Sequence, residues 1–318
     1  MKPSILSVFS LVLSTTAAPS DAGFSLVGFA KDHPPGTTTG GAGKNSKTVT
    51  VTTVAEFKKV VTDNEPTIIY ANDTFNLTSR VQIGSNKSLI GLGKGAQIIG
   101  AGLNIYSQTN VIIRNFGLTA IPDDAITIRN STRVWIDHNE FTTGNFTANG
   151  PDLYDGQLDI IRANDWITVS WNYFHDHWKS SLHHNYWRNM GTRGPAGRFG
   201  HQHIYNNLYE DFLYQAIHSR SDNQVLVEAN VFKGKTREAL STYGLVIPDD
   251  SPNTSLDGDF EIDGYANLGA ANNFGTAGVN ITQGGDFATA PYVYTLTTLG
   301  EVKIVVKKGV GLGKIHEQ

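Results

Sequence analysis

Asn110-Val111-Ile112-Ile113-Arg114-Asn115-Phe116 sets a pattern that the chain then repeats. Two or three β-branched residues lead into an Asn, and an aromatic residue or a Leu follows. The same order stands at Arg133-Val134-Trp135-Ile136-Asp137-His138-Asn139-Glu140-Phe141 and at Trp166-Ile167-Thr168-Val169-Ser170-Trp171-Asn172-Tyr173-Phe174. Later copies are His203-Ile204-Tyr205-Asn206-Asn207-Leu208-Tyr209 and Gln224-Val225-Leu226-Val227-Glu228-Ala229-Asn230-Val231-Phe232. Asn115 and Asn139 are 24 residues apart, and Asn207 and Asn230 are 23 apart. A period of about 20–25 residues with one alternating strand per copy is the signature of a parallel β-solenoid. Stacked coils bring equivalent positions to ~4.8 Å from one another. Val, Ile and Phe then fill the interior. Asn at a turn tolerates left-handed backbone and can bond its amide to the Asn above and below. An antiparallel sandwich does not repeat a strand–Asn–aromatic unit, which argues against that fold.

The rest of the chain agrees. Thr67-Ile68-Ile69-Tyr70, Ser88-Leu89-Ile90-Gly91 and Gln97-Ile98-Ile99-Gly100 are short β-type runs bounded by Gly or Asn. Val54 to Val61 has the apolar spacing of a short amphipathic helix. The segment from Ser25 to Ser46 is rich in Gly, Thr and Pro and reads as an extended entry. The 318 residues carry 25 basic and 29 acidic side chains, a net charge of −4, with 39% hydrophobic residues. Such a chain can bury a core and is not a disordered one. It offers no cationic surface for nucleic acid. With no cysteine, a disulfide scaffold, a thiolate metal site and a Cys nucleophile are excluded. Lys2, the apolar run Ile5 to Leu13 and small residues through Ala18 have the layout of a signal peptide over residues 1–18. The run is too short for a membrane span, which needs ~20 residues. The expectation is a secreted, extracellular protein with no membrane association after cleavage, folded as one domain over residues 19–318. Asn72, Asn76, Asn86, Asn130, Asn145, Asn253 and Asn280 are potential glycan acceptors on that route.

One interval breaks the period. Asn139 and Asn172 are 33 residues apart, so an excess lying in Thr142 to Gln157 must leave the solenoid as a loop, and function often sits on such insertions. Asp124 with Asp123, Asp137, Asp155 and Asp159 fall around this point. A parallel stack makes them neighbours on one edge, and carboxylates without thiol or paired-His ligands suit a hard cation such as Ca²⁺. Any single Asp among them also reads as a turn cap. Lys179 and the run Arg193-Gly194-Pro195-Ala196-Gly197-Arg198 follow. They read either as a surface salt-bridge loop or as the anion-binding half of a cation site. His175, His177, His183 and His184 lack a second ligand element and read as structural.

At these residues the sequence resembles the pectate lyase family, in its fungal secreted form, from about Val27 to the C-terminus. The resemblance rests on Trp135-Ile136-Asp137-His138, Tyr154-Asp155-Gly156-Gln157-Leu158-Asp159-Ile160, Thr168-Val169-Ser170-Trp171-Asn172, His177-Trp178-Lys179 and Arg193-x-Pro195-x-x-Arg198-x-Gly200. It implies an all-β, right-handed parallel β-helix with loop insertions on one face. It implies a monomeric enzyme that cleaves pectate, the de-esterified homogalacturonan, by Ca²⁺-dependent β-elimination to 4,5-unsaturated oligogalacturonides. By the same resemblance Asp124, Asp155 and Asp159 are Ca²⁺ ligands and Lys179 neutralises the substrate carboxylate. Arg193 takes the C5 proton, Arg198 binds substrate, and Asp137 is structural. Some members carry an acid two residues before the position of Asp124, where this chain has Pro122. A pectin lyase, acting on esterified chains without Ca²⁺, would lack the pair Asp155 and Asp159. A polygalacturonase would carry Gly-His-Gly and Arg-Ile-Lys motifs that are absent.

The alternative of a catalytically impaired pectate-binding β-helix comes from a second irregularity. Asn172-Tyr173-Phe174 and Asn185-Tyr186-Trp187 both close a coil, yet they are 13 residues apart. A coil needs roughly 20. The spacing predicts a shortened or missing strand at 180–184. Loss of a whole coil would move Arg193 along the axis by one strand spacing, ~4.8 Å.

Overall fold

The computed structural model describes residues 24–144, 154–179, 184–246 and 257–315, with 178–179 as backbone. The signal-peptide segment and the residues 180–183 of the short coil lie outside the described residues.

The strands stack as a parallel β-helix with three faces. The first face carries Val81–Gln82, Leu103–Tyr106, Ile126–Arg129 and Leu158–Ile161. The second runs from Lys47–Val51 through Thr109–Arg114 and Thr132–Asp137 to Asp165–Ser170. The third is one continuous sheet of eight strands, from Thr74–Asn76 through Tyr173–Lys179 and Tyr186–Thr192 to Val231–Lys233. The register is parallel throughout these stacks; Ile126, for instance, lies between Leu103 and Leu158. Alternation decides what is buried: Leu103, Ile105, Ile126, Ile128 and Leu158 point into one hydrophobic core shared by all three faces.

Two ladders run along the axis. Asn139, Asn172, Asn185 and Asn207 each donate backbone and amide N–H to the side-chain oxygen of the next Asn, ending on Asn230, whose own N–H groups go to Asn272. Beside it Phe141, Phe174, Trp187, Tyr209 and Phe232 stack with centroids 4.2–6.1 Å apart. Each buried amide is thus satisfied by its own repeat, which is why Asn recurs there. Asn115 is not in the ladder. Phe116 takes the rung opposite Asn139, donating its N–H to Asn139 Oδ1, while the Asn115 amide turns to the carbonyl of Gly91. The helix Val54–Val61 forms as expected and closes one end of the core with Phe57 and Val61. Thr53 and Glu56 make a capping box at its start.

The short coil has a specific form. Tyr173 pairs with Tyr186 and Lys179 with Thr192, so successive strands on the third face are only 13 residues apart. Thirteen residues cannot supply three strands. On the first face, the sheet ending at Leu158–Ile161 is separate from the next, which begins at Ala196–Arg198. The second face breaks in the same place, between Asp165–Ser170 and His201–Tyr205. The coil therefore keeps its third strand, and no described residue forms its first or second.

Candidate active site

The corner where the third face turns into the first carries the chemistry. Arg80 immediately precedes Val81–Gln82; Asp123 and Asp124 precede Ile126–Arg129; Asp155 precedes Leu158–Ile161; Arg193 precedes Ala196–Arg198. Lys179 ends the strand Tyr173–Lys179 at the same corner. Because Lys179 is in register with Thr192, Lys179 and Arg193 leave adjacent strands of an unbroken sheet. The short coil keeps its third-face strand, so the condition under which Arg193 would move by a full spacing, loss of a whole coil, is not met. Among the described residues, no first-face strand lies between Asp159 and Ala196.

Asp123, Asp124 and Asp155 each place a carboxylate oxygen within 4.8 Å of the others. Asp159 is not one of these three; it stands opposite Thr127 in the adjacent strand of the first face, next to Gly156. Gly156 makes the cradle: a Cβ there would lie 2.1 Å from Asp159 Oδ1 and 2.9 Å from Asp124 Oδ1. Its N–H also donates to Asp124 Oδ1 at 3.1 Å. Asp124 is buried while Asp123 and Asp155 are exposed. Burial pushes the Asp124 carboxyl up, the nearby Asp155 charge adds to this, and hydrogen bonds from Thr127 and Arg80 work against it. Converging carboxylates on a backbone without intruding side chains fit a hard, oxygen-seeking cation.

Sequence reasoning passed over Arg80. Its Nε donates to Asp123 Oδ2 at 3.0 Å and its Nη2 lies 3.2 Å from Asp124 Oδ2. Nothing marks it in sequence except its place just before a first-face strand. Asp137 corrects the reading of four neighbouring carboxylates. It is on the second face, fully buried, and held by Arg114 at 2.8 Å, His138 Nδ1 at 2.6 Å and the Ser170 hydroxyl at 2.6 Å. Burial works against its charged form, and the His138 and Arg114 interactions outweigh it, leaving its carboxyl below the ordinary range. It is a structural ion, as the resemblance implied.

On the basic side, Arg193 has left-handed backbone, and its Nε is buried without a hydrogen-bond partner among the described residues. Arg198 forks onto Glu261, with its Nε 3.0 and 2.8 Å from the two oxygens. His175 lies between Glu140 and Asp176, and His184 stacks on Trp171. These histidines are built into the stack, as expected.

The model of the family described as pectate lyase matches residues 1–183 and 179–314. The chain belongs to the pectate lyase family. As in that family, it is a lyase acting on polysaccharide. The two matched stretches of the pectate lyase model meet at 179–183, which is where the coil is short. A pectate trisaccharide-lyase of Bacillus licheniformis is 33% identical over 93% of this chain and 88% of its own length. Pectate lyase A of Aspergillus niger is 34% identical over 80% of this chain and 79% of its own. Among solved structures, the pectate lyase Bsp165PelA of Bacillus sp. N165 in complex with trigalacturonate superposes with a TM-score of 0.73 at 29% identity, covering 92% of this chain and all of that one. A thermostable pectate lyase at 23% identity and a TM-score of 0.71 has the same fold.

Proposed function

We propose that this lyase is secreted and cleaves de-esterified homogalacturonan by Ca²⁺-dependent β-elimination. The observation that carries the reading is the Gly156 cradle, where the carboxylates of Asp124 and Asp159 crowd together against a residue that has no side chain of its own. Asp124, Asp155 and Asp159 would hold the ion. Bound there, calcium supplies positive charge that stabilises the carboxylate-conjugated anion formed when C5 loses its proton. Lys179, one strand from Arg193 on the same corner, neutralises the uronate carboxylate. Arg193, acting in its deprotonated form, removes the C5 proton; the C4–O bond then breaks, its electron pair leaves with the glycosidic oxygen, which takes up a proton, and the pair left at C5 forms the C4=C5 double bond. Arg198 contributes to substrate binding from the exposed edge beyond. Bsp165PelA, whose complex holds trigalacturonate, supports an oligogalacturonate as the ligand class. Two observations bear on the route out of the cell. No helix among the described residues is long and apolar enough to cross a membrane. The sequon residues Asn72, Asn76, Asn130 and Asn280 are exposed.

The test is ultraviolet absorbance on polygalacturonate with and without EGTA. New absorbance that EGTA abolishes is expected. Undiminished activity in excess EGTA would remove calcium from the reading, and reducing ends without new absorbance would replace elimination by hydrolysis. A second reading has its own observation. No described residue forms a first-face strand between Asp159 and Ala196, in the stretch of chain that separates the acidic ligands from Arg193. Pectate binding with no unsaturated product would identify a binding protein instead.

A further inference from the structure

We propose that Arg80 is a built-in competitor for the calcium site: its guanidinium occupies Asp123 and one oxygen of Asp124 and so sets how weakly the protein binds calcium. This rests on the calcium reading above. Arg80 stands at the same corner as Asp124, two coils earlier, since Val81, Leu103 and Ile126 are in register. Its side chain runs back along the axis to the acidic cluster. Nε and Nη2 fork onto both oxygens of Asp123, at 3.0 and 2.7 Å. Nη2 also lies 3.2 Å from Asp124 Oδ2. Nη1 reaches the Thr127 hydroxyl, which itself donates to Asp124 Oδ2 at 2.8 Å.

The two oxygens of Asp124 are thereby divided. Oδ2 belongs to Arg80 and Thr127, and Oδ1 faces Gly156 and Asp159. An ion held between Asp124 Oδ1, Asp155 and Asp159 has a fixed positive charge behind it. Asp123, within 4.8 Å of Asp124 and Asp155, can join such an ion only if the guanidinium lets go. The Arg80 side chain is 28% exposed and that of Asp124 11%, so water screens the repulsion incompletely. Calcium affinity follows the net ligand charge of its site, and Arg80 subtracts from it.

The experiment is calorimetric titration of calcium into the substrate-free protein. Arg80→Gln is expected to bind calcium tighter by ~10-fold or more, and Arg80→Lys to fall between. Asp123→Asn is expected to change the affinity by less than ~3-fold in the wild-type background and to weaken it ~10-fold in the Arg80→Gln background, because Asp123 is recruited only when Arg80 is gone. A wild-type protein that binds no calcium overturns the calcium reading itself. A wild type that binds, with Arg80→Gln equal or weaker, overturns the role of Arg80 alone. Should Arg80→Gln not fold, Asp123→Asn in the wild-type background decides, and a tenfold loss there overturns the proposal.

Discussion

Replacing Gly156 by Ala tests the cation cradle with a single methyl group. The added Cβ would stand 2.1 Å from Asp159 Oδ1, 2.9 Å from Asp159 Cγ and 2.9 Å from Asp124 Oδ1. Carbon and oxygen settle no closer than roughly 3.3 Å, so the Asp159 oxygen must retreat by more than about 1 Å. Calcium–oxygen bonds of ~2.3–2.6 Å do not survive such a displacement. The cost to folding is small by comparison. Gly156 does not have left-handed backbone, and the half-buried Asp159 side chain can turn outward. With one carboxylate ligand expelled and a second pushed, calcium affinity is expected to fall ~10²-fold, about 2.7 kcal/mol. The melting temperature of the metal-free protein should move by less than about 4 °C. Calorimetric calcium titration reads the first quantity and thermal unfolding in EGTA the second. Activity on polygalacturonate should return partly as calcium is raised. An Ala variant that binds calcium as the wild type does would show that no ion sits between Asp124 and Asp159, and the assignment of the site would fail.

Arg193→Lys keeps the charge but loses the fork and reach of the guanidinium, so kcat on polygalacturonate should drop by ~10³-fold or more; near-normal kcat would show that Arg193 is not the base and make Lys179 the next candidate. Asp159→Asn should instead raise the calcium concentration needed for half-maximal activity, with the rate recoverable at high calcium. Asn172→Ala strips the Asn139 backbone and amide N–H groups of their acceptor at 2.9 and 3.0 Å inside the stack, and should cost ~3–5 kcal/mol in urea unfolding. Burial pushes the Glu261 carboxyl up, but hydrogen bonds from Arg198 and Ser221 and the charges of Arg220 and Arg198 hold it down to about 2. A depressed folded value means its stabilisation is full above the unfolded value of ~4.3 and is lost as pH falls toward 2. The stability gap between wild type and Glu261→Gln should therefore be widest above pH 5 and close by pH 2.

Much of this was legible because a solenoid writes its structure in a repeated line. Asn139, Asn172, Asn207 and Asn230 recur since each amide needs the next one, and Asp124, Asp155 and Lys179 share a corner because each stands where a coil turns. What escaped was whatever the repeat does not encode. Asn115 looked like a rung of the ladder, yet the register places Phe116 there. Asp137 counted as a neighbour of Asp124 until the turn between them put it on another face. Arg80 lies 43 residues from Asp123, and no motif links them; only the length of its side chain along the axis does. The short coil joins these lessons. Thirteen residues between Asn172 and Asn185 signalled a loss, but not which strands were lost. The answer lies in what the stack cannot omit. Asn172 bonds to Asn185 and Asn185 to Asn207, Phe174 stacks on Trp187 and Trp187 on Tyr209; the rings lie on the third face and the Asn ladder at the turn that enters it. A strand missing there would leave a row of buried amides and rings without partners, at ~1–3 kcal/mol for each orphaned group. The first two faces lose hydrogen bonds at a break but no ladder. The chain therefore shortens where the stack tolerates it, and Lys179 and Arg193 stay at the ends of adjacent strands because the third face is unbroken.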